Sequence, residues 1–127
     1  MSRIALALKT CLRQPSASGS PRTLVFDEID SGIGGAVAES VGRRLKKLAA
    51  SNQVLCVTHL AQVAGFADHH YLVEKHESQG RTVASVEELD RDGRVREIGR
   101  MLSGEMLTSE ALKHAERLIE TGLAAKL

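Results

Sequence analysis

The stretch from Thr23 to Gly35, Thr-Leu-Val-Phe-Asp-Glu-Ile-Asp-Ser-Gly-Ile-Gly-Gly, constrains this chain more than any other. Its apolar run, Leu24, Val25 and Phe26, ends in the adjacent carboxylates Asp27 and Glu28, and Asp30 follows before a loop that carries Gly32, Gly34 and Gly35. An unbroken apolar run with β-branched and aromatic members suits a strand covered on both faces, as in parallel α/β sheets. Acids at the carboxyl end of such a strand stand where ligands bind. The plainer reading is a strand that ends in a polar turn, since turns are commonly acidic. The remaining sequence has to choose between them.

Downstream, Gly35 to Ala50 has the spacing of an amphipathic helix with Val37, Val41, Leu45 and Leu48 on one face. Arg43, Arg44, Lys46 and Lys47 gather on its outer side near the end, where cations suit the helix dipole. A second unbroken run, Val54 to Val57, leads into Thr58 and His59. Strand, helix, strand in this order implies a parallel pair joined by a right-handed crossover. The fold class is therefore α/β, a parallel sheet flanked by helices.

The other segments fit around that unit. Ser2 to Arg13 carries a helical stripe of Ile4, Leu8, Cys11 and Leu12, and Gln14 to Arg22 is a Pro- and Ser-containing linker. A short helix is expected over Leu60 to Ala67 and a short strand over Tyr71 to Glu74. Thr82 to Leu89 reads as part of an edge hairpin, with Asp92-Gly93 as a turn after it. Arg94 to Leu102 reads as a helix ended by Ser103-Gly104. Thr108 caps a last helix, Leu107 and Leu112 form a hydrophobic staple, Ala115 and Ile119 continue its face, and Gly122 stops it.

Composition narrows the function. A chain of 127 residues has the size of one domain, and 17 basic against 16 acidic side chains give a net charge of +1, which argues against a broad nucleic-acid-binding face. With one Tyr, two Phe and no Trp, base stacking is not its main mode of contact and the core is expected to be aliphatic. Cys11 and Cys56 lie in apolar segments without metal-ligand spacing and read as buried thiols. No apolar run is long enough for a membrane span, so a cytoplasmic protein with no membrane contact is expected.

The chemistry lies in two strand ends. If the strands are neighbours, Asp27-Glu28 and Thr58-His59 open on one sheet edge, a set suited to phosphate chemistry: one carboxylate for Mg²⁺, the next to orient water, and an imidazole to donate to a phosphate oxygen. The cluster Asp68, His69, His70 and His76 also contains metal-ligating types. Adjacent histidines on a strand point to opposite faces, so an exposed polar stretch is the reading preferred there.

At this point the residues support a resemblance. Leu-Val-Phe-Asp-Glu resembles the Walker B strand of ABC-type ATPases, Ile29-Asp30-Ser31-Gly32 stands in the place of their D-loop, and Val57-Thr58-His59 in that of their switch-histidine strand. With Val-Leu-Cys-Val-Thr-His-Leu-Ala-Gln-Val-Ala the sequence is similar to the RecN family, bacterial DNA double-strand-break repair proteins related to SMC proteins. The segment Glu97 to Ile119 also resembles the tail of that family. The resemblance implies that Asp27 binds Mg²⁺ through water, that Glu28 is the general base or the water-orienting residue, and that His59 senses the γ-phosphate of ATP. Asp30, Ser31 and Gly32 would belong to the nucleotide site as the loop that meets an opposing head.

The phosphate-loop pattern Gly-x-x-x-x-Gly-Lys-Ser/Thr does not occur in the sequence, nor does a Ser-Gly-Gly-Glu signature; in the family the latter stands just before a pair like Ser2-Arg3. The expectation is therefore a single domain over residues 1–127, the C-terminal lobe of an ATPase head lacking the P-loop. It would need the N-terminal lobe of the same head, a second head across the ATP site in a homodimer, and DNA contacts made through the full-length protein. Alone it is expected to be inactive. Two alternatives remain: a helicase fragment in which Asp27-Glu28-Ile29-Asp30 is a DExD box, and a non-catalytic binding or regulatory module.

Overall fold

The computed structural model describes residues 22–27, 32 and 34–125. Within them, strand β1 (Thr23–Asp27), helix α1 (Gly35–Ala49), strand β2 (Gln53–Val57), the short helix α2 (Ala61–Ala64), strands β3 (Tyr71–Ser78) and β4 (Arg81–Glu88), and helices α3 (Arg91–Ser103) and α4 (Ser109–Ala124) follow in order. The expected helix over Ser2–Arg13, with Cys11, lies outside the described residues.

β1 and β2 form the expected parallel pair, in register from Thr23 opposite Gln53 to Asp27 opposite Val57. Asn52 fastens its start: its amide donates to Leu48 O (3.0 Å), its Oδ1 accepts from Arg22 N (3.3 Å), and Gln53 N donates to Arg22 O (2.8 Å). The expectation of cover on both faces is corrected. Leu24 and Phe26 point inward, but Val25 is 65% exposed, and Leu55 and Val57 share its open face. Among the described residues helix α1 packs beside β2 on the inner side, and the other side stands open.

The inward face of α1 also differs from expectation. Its buried residues are Ala38 and Gly42, Val41, Leu45 and Leu48 are half-buried, and Val37 is exposed. Small residues face inward because the ring of Phe66 lies on Gly42; a Cβ there would stand 2.3 Å from Phe66 Cδ2. Phe26 and Phe66 are both buried, so the core is aliphatic apart from its two phenylalanines.

α3 and α4 carry the largest fully buried side chains, Ile98 and Ile119, which cluster with Ala61, Ala64 and Ala115, flanked by Val95, Met101, Leu102 and Leu118. Thr108 caps α4 as expected, its Oγ1 accepting from Ala111 N (3.1 Å), and Leu107 and Leu112 both reach α3 at Gly99. Gly122 does not stop α4, which continues to Ala124. Its role is close approach: a Cβ at Gly122 would lie 2.1 Å from Gly65 O. Likewise Asp92-Gly93 is no turn. Asp90 Oδ1 accepts from Gly93 N (2.7 Å), so these residues form the first turn of α3, which starts three residues before the expected Arg94.

β3 and β4 form an antiparallel hairpin from Tyr71 opposite Glu88 to Ser78 opposite Arg81. The turn is Gln79-Gly80, both with positive φ (50° and 74°), as a two-residue hairpin loop matched to strand twist requires. β3 runs four residues beyond the expected Glu74. Backbone pairing, which leaves no trace in hydropathy, holds that polar end.

Candidate functional site

The parallel register brings the two strand ends to one edge. Asp27 closes β1 opposite Val57, and Thr58 and His59 come directly after. Neighbouring strands lie about 4.8 Å apart, so the chain at Asp27 and the chain entering Thr58-His59 leave the sheet at one edge. Asp27 and His59 are both exposed at that edge. In a strand-helix-strand unit the helix returns antiparallel to the strands, so α1 begins at this edge too, behind Gly34. Gly32 sits in the intervening turn with φ 80°, a left-handed backbone that suits glycine. Glu28, Asp30 and Ser31 lie outside the described residues.

The segment just after His59 is the best buried among the described residues. Thr58 Oγ1 accepts from Leu60 N (3.0 Å), which turns the chain into α2, and Ala61, Val63, Ala64, Gly65 and Phe66 are all buried. Every neighbouring helix grips this segment. Phe66 lies on Gly42 of α1, Gly65 meets Gly122 and Leu118 of α4, and Arg94 of α3 donates through Nη2 to Ala67 O (2.9 Å) and Ala64 O (3.5 Å). Lys46 Nζ adds a bond to Phe66 O (3.4 Å) and an ion pair with Asp68 (3.2 Å).

The basic cluster on α1 is therefore not a uniform solvated face. Lys46 has a side chain only 13% exposed and joins α1 to the segment after α2. Arg43 pairs with Glu39 (2.9 Å) and lies over the Phe66 ring, 5.5 Å from its centroid. Arg44 and Lys47 remain on the exposed side.

Sequence reasoning missed Arg94, which is buried. Its signal was present: Arg94 stands four residues before Ile98 and so on the core face of α3. Burial, and the nearby charge of Arg91, lower its pKa from the ordinary arginine value, with Asp68 opposing. Beside it His70 is lowered from 6.5, chiefly by burial and then by Arg94, while Glu97 raises it. Glu97 in turn pairs with Arg100, whose pKa that bond raises.

The histidine-rich stretch is dispersed. His69 Nδ1 meets Glu88 Oε1 (3.0 Å), His70 turns inward and His76 lies opposite Val83 on the hairpin. Among the described residues no group of three or more His, Cys, Asp or Glu is placed to hold a metal ion. An exposed carboxylate at a strand end still fits Mg²⁺, which commonly takes one or two carboxylates and completes its shell with water and phosphate. Asp27 meets that description. No described helix is long and apolar enough to cross a membrane.

No family model matches the chain. Comparison with curated proteins gives a consistent set of relatives. The chain is 52% identical over 120 residues to the DNA repair protein RecN of Deinococcus radiodurans, covering 94% of this chain and 20% of that protein. It is 44% identical over 124 residues to RecN of Streptomyces coelicolor (98% and 21%) and 38% identical over 120 residues to RecN of Bacillus subtilis (94% and 20%). The chain spans about one fifth of the length of these relatives. Identity of this degree over almost the whole of a mixed α/β unit with a small parallel sheet makes the chain a segment of the RecN family.

Proposed function

We propose that this segment is the C-terminal lobe of an ATPase head in a DNA repair protein acting at double-strand breaks, and that it supplies the acid and histidine half of the ATP site. The observation that carries the reading is the parallel register that sends Asp27 and Thr58-His59 out of one sheet edge. In it, Asp27 would hold Mg²⁺ through water. Glu28, the next residue, takes a proton from the attacking water. His59 donates to the γ-phosphate, and Asp30, Ser31 and Gly32 face a second head. Bound with ATP, Mg²⁺ offsets charge on the phosphates.

The open surfaces of the chain support a reading of its partners. The apolar face of Val25, Leu55 and Val57 suits cover by the N-terminal lobe of the same head, since sheets of this kind are buried on both sides. DNA is engaged through the longer protein, of which this chain would be one part. The names of the relatives, DNA repair protein RecN, support the repair role.

The test is Glu28→Gln in the RecN-length protein. ATP binding stays within about two-fold of the parent, while turnover falls by on the order of 10²- to 10⁴-fold, the usual contribution of a positioned base. Near-normal turnover would remove Glu28 from the role.

A further inference from the structure

Arg94 is a buried charged side chain that the chemistry above does not use. Burying a guanidinium is costly unless its donors are satisfied. Its hydrogen bonds to Ala64 O and Ala67 O go to one short stretch of main chain, the C-terminal turn after α2. Ala64 O also accepts from Ala67 N (3.1 Å), so Arg94 closes a turn that already bonds to itself. Asp68, just beyond, and Arg91, one helical turn earlier on α3, are the charges that act on it.

Phe66 on Gly42, Gly65 against Gly122, and Lys46 at Phe66 O also hold this turn, and Arg94 is its hydrogen-bonding anchor from α3. α2 has only four residues, a length that is not stable as an isolated helix. Its amino end carries Leu60 and the Thr58 hydroxyl bond, and next to them His59. Its carboxyl end is thus separated by a single helical turn from the histidine at the sheet edge. The core pairing of α3 with α4 runs through Ile98, Ala115 and Ile119, which Arg94 does not hydrogen-bond, and Ala61 and Ala64 of α2 pack into the same cluster.

We infer that Arg94 is a positioning residue, a clamp from α3 that fixes the segment from Thr58 to Ala67 and thereby sets where His59 stands at the sheet edge. The consequence for ATP turnover rests on the role proposed above for His59; the clamp itself does not. His70 supplies a local reporter. Its Nδ1 and Arg94 Nε are both buried without a hydrogen-bond partner among the described residues, and the guanidinium disfavours charge on the imidazole.

The experiment uses two variants of the 127-residue chain, Arg94→Lys, which keeps the charge but loses the planar fork, and Arg94→Met, which keeps the length. Amide exchange and the imidazole signals of His59 and His70 are read in both. Exchange over 58–67 rises by about ten-fold or more in Arg94→Met and by less in Arg94→Lys, while Ile98, Ala115 and Ile119 keep their protection. The His59 ring signals move in both variants, and His70 titrates at higher pH in Arg94→Met alone. Unchanged exchange over 58–67 in Arg94→Met, or a loss spread evenly over α3 and α4 in Arg94→Lys, overturns the clamp. In the RecN-length protein Arg94→Lys lowers kcat several-fold with little change in the KM for ATP. Loosened exchange with unchanged kcat supports the clamp and overturns the role of His59.

Discussion

The helical layer and the strands differ in how they are covered. Between α2, α3 and α4 a small core closes on itself, with Ile98 and Ile119 almost without solvent exposure. The hairpin β3–β4 is exposed nearly throughout, with Val73 at 60% and Val86 at 65%, and β1–β2 shows water an apolar face through Val25, Leu55 and Val57. A two-stranded hairpin is marginal in water without packing. The contrast teaches that the stability of this chain resides in its helices, while its strands carry exposed apolar surface and the sheet edge at Asp27 and His59.

The largest test of that contrast is Ile98→Ala. Truncating a fully buried isoleucine removes transfer energy and leaves a cavity, together about 2–5 kcal/mol. Denaturant unfolding of the chain should show a midpoint lowered accordingly, with an unchanged slope. A loss under about 1 kcal/mol would mean that this layer is not the stable part.

Acid should act on the same layer more gently. His70 has its folded pKa below the unfolded value of 6.5, so the unfolded chain binds more protons between the two. Stability is therefore full above about pH 6.5 and falls as pH drops from there towards the lowered folded pKa, with no further change from this group below it. The slope from pH 7 to pH 5 should shrink in His70→Gln, measured by thermal unfolding at each pH. An identical slope would take His70 out of the coupling between the hairpin root and α3.

These regions were also unequally legible in the sequence. The strand ends, α1, the Thr108 cap and the Leu107–Leu112 staple were readable because each has a local pattern, a run, a period or a capping spacing. The missed features depend on partners far along the chain. Gly42 drew no reading and Gly122 read as a stop, yet each is a seat for a segment tens of residues away, at Phe66 and Gly65. Lys46 read as one of an outer cationic cluster and Arg94 only as the start of a helix, because the carbonyls of Phe66, Ala64 and Ala67 that hold them are remote in sequence. The open face of β1 was hidden for another reason: an unbroken apolar run records the cover a strand requires, not which chain provides it.

The smallest expected effect sharpens the comparison most. Val86 stands opposite Val73 and faces water, one register step from Tyr71 opposite Glu88 on the same face. Val86→Thr exchanges a methyl for a hydroxyl while keeping β-branching, so strand propensity is nearly unchanged. In this chain the unfolding midpoint should therefore shift by less than about 0.5 kcal/mol, as for surface changes generally. In a RecN-length protein whose other parts cover the hairpin, the same hydroxyl would be buried without a designed partner, at about 1–3 kcal/mol. The difference between the two backgrounds measures whether the exposed strand face becomes an interface. Equal small effects in both would leave the hairpin a solvent-facing arm, and a large effect in this chain alone would show that the face is already covered.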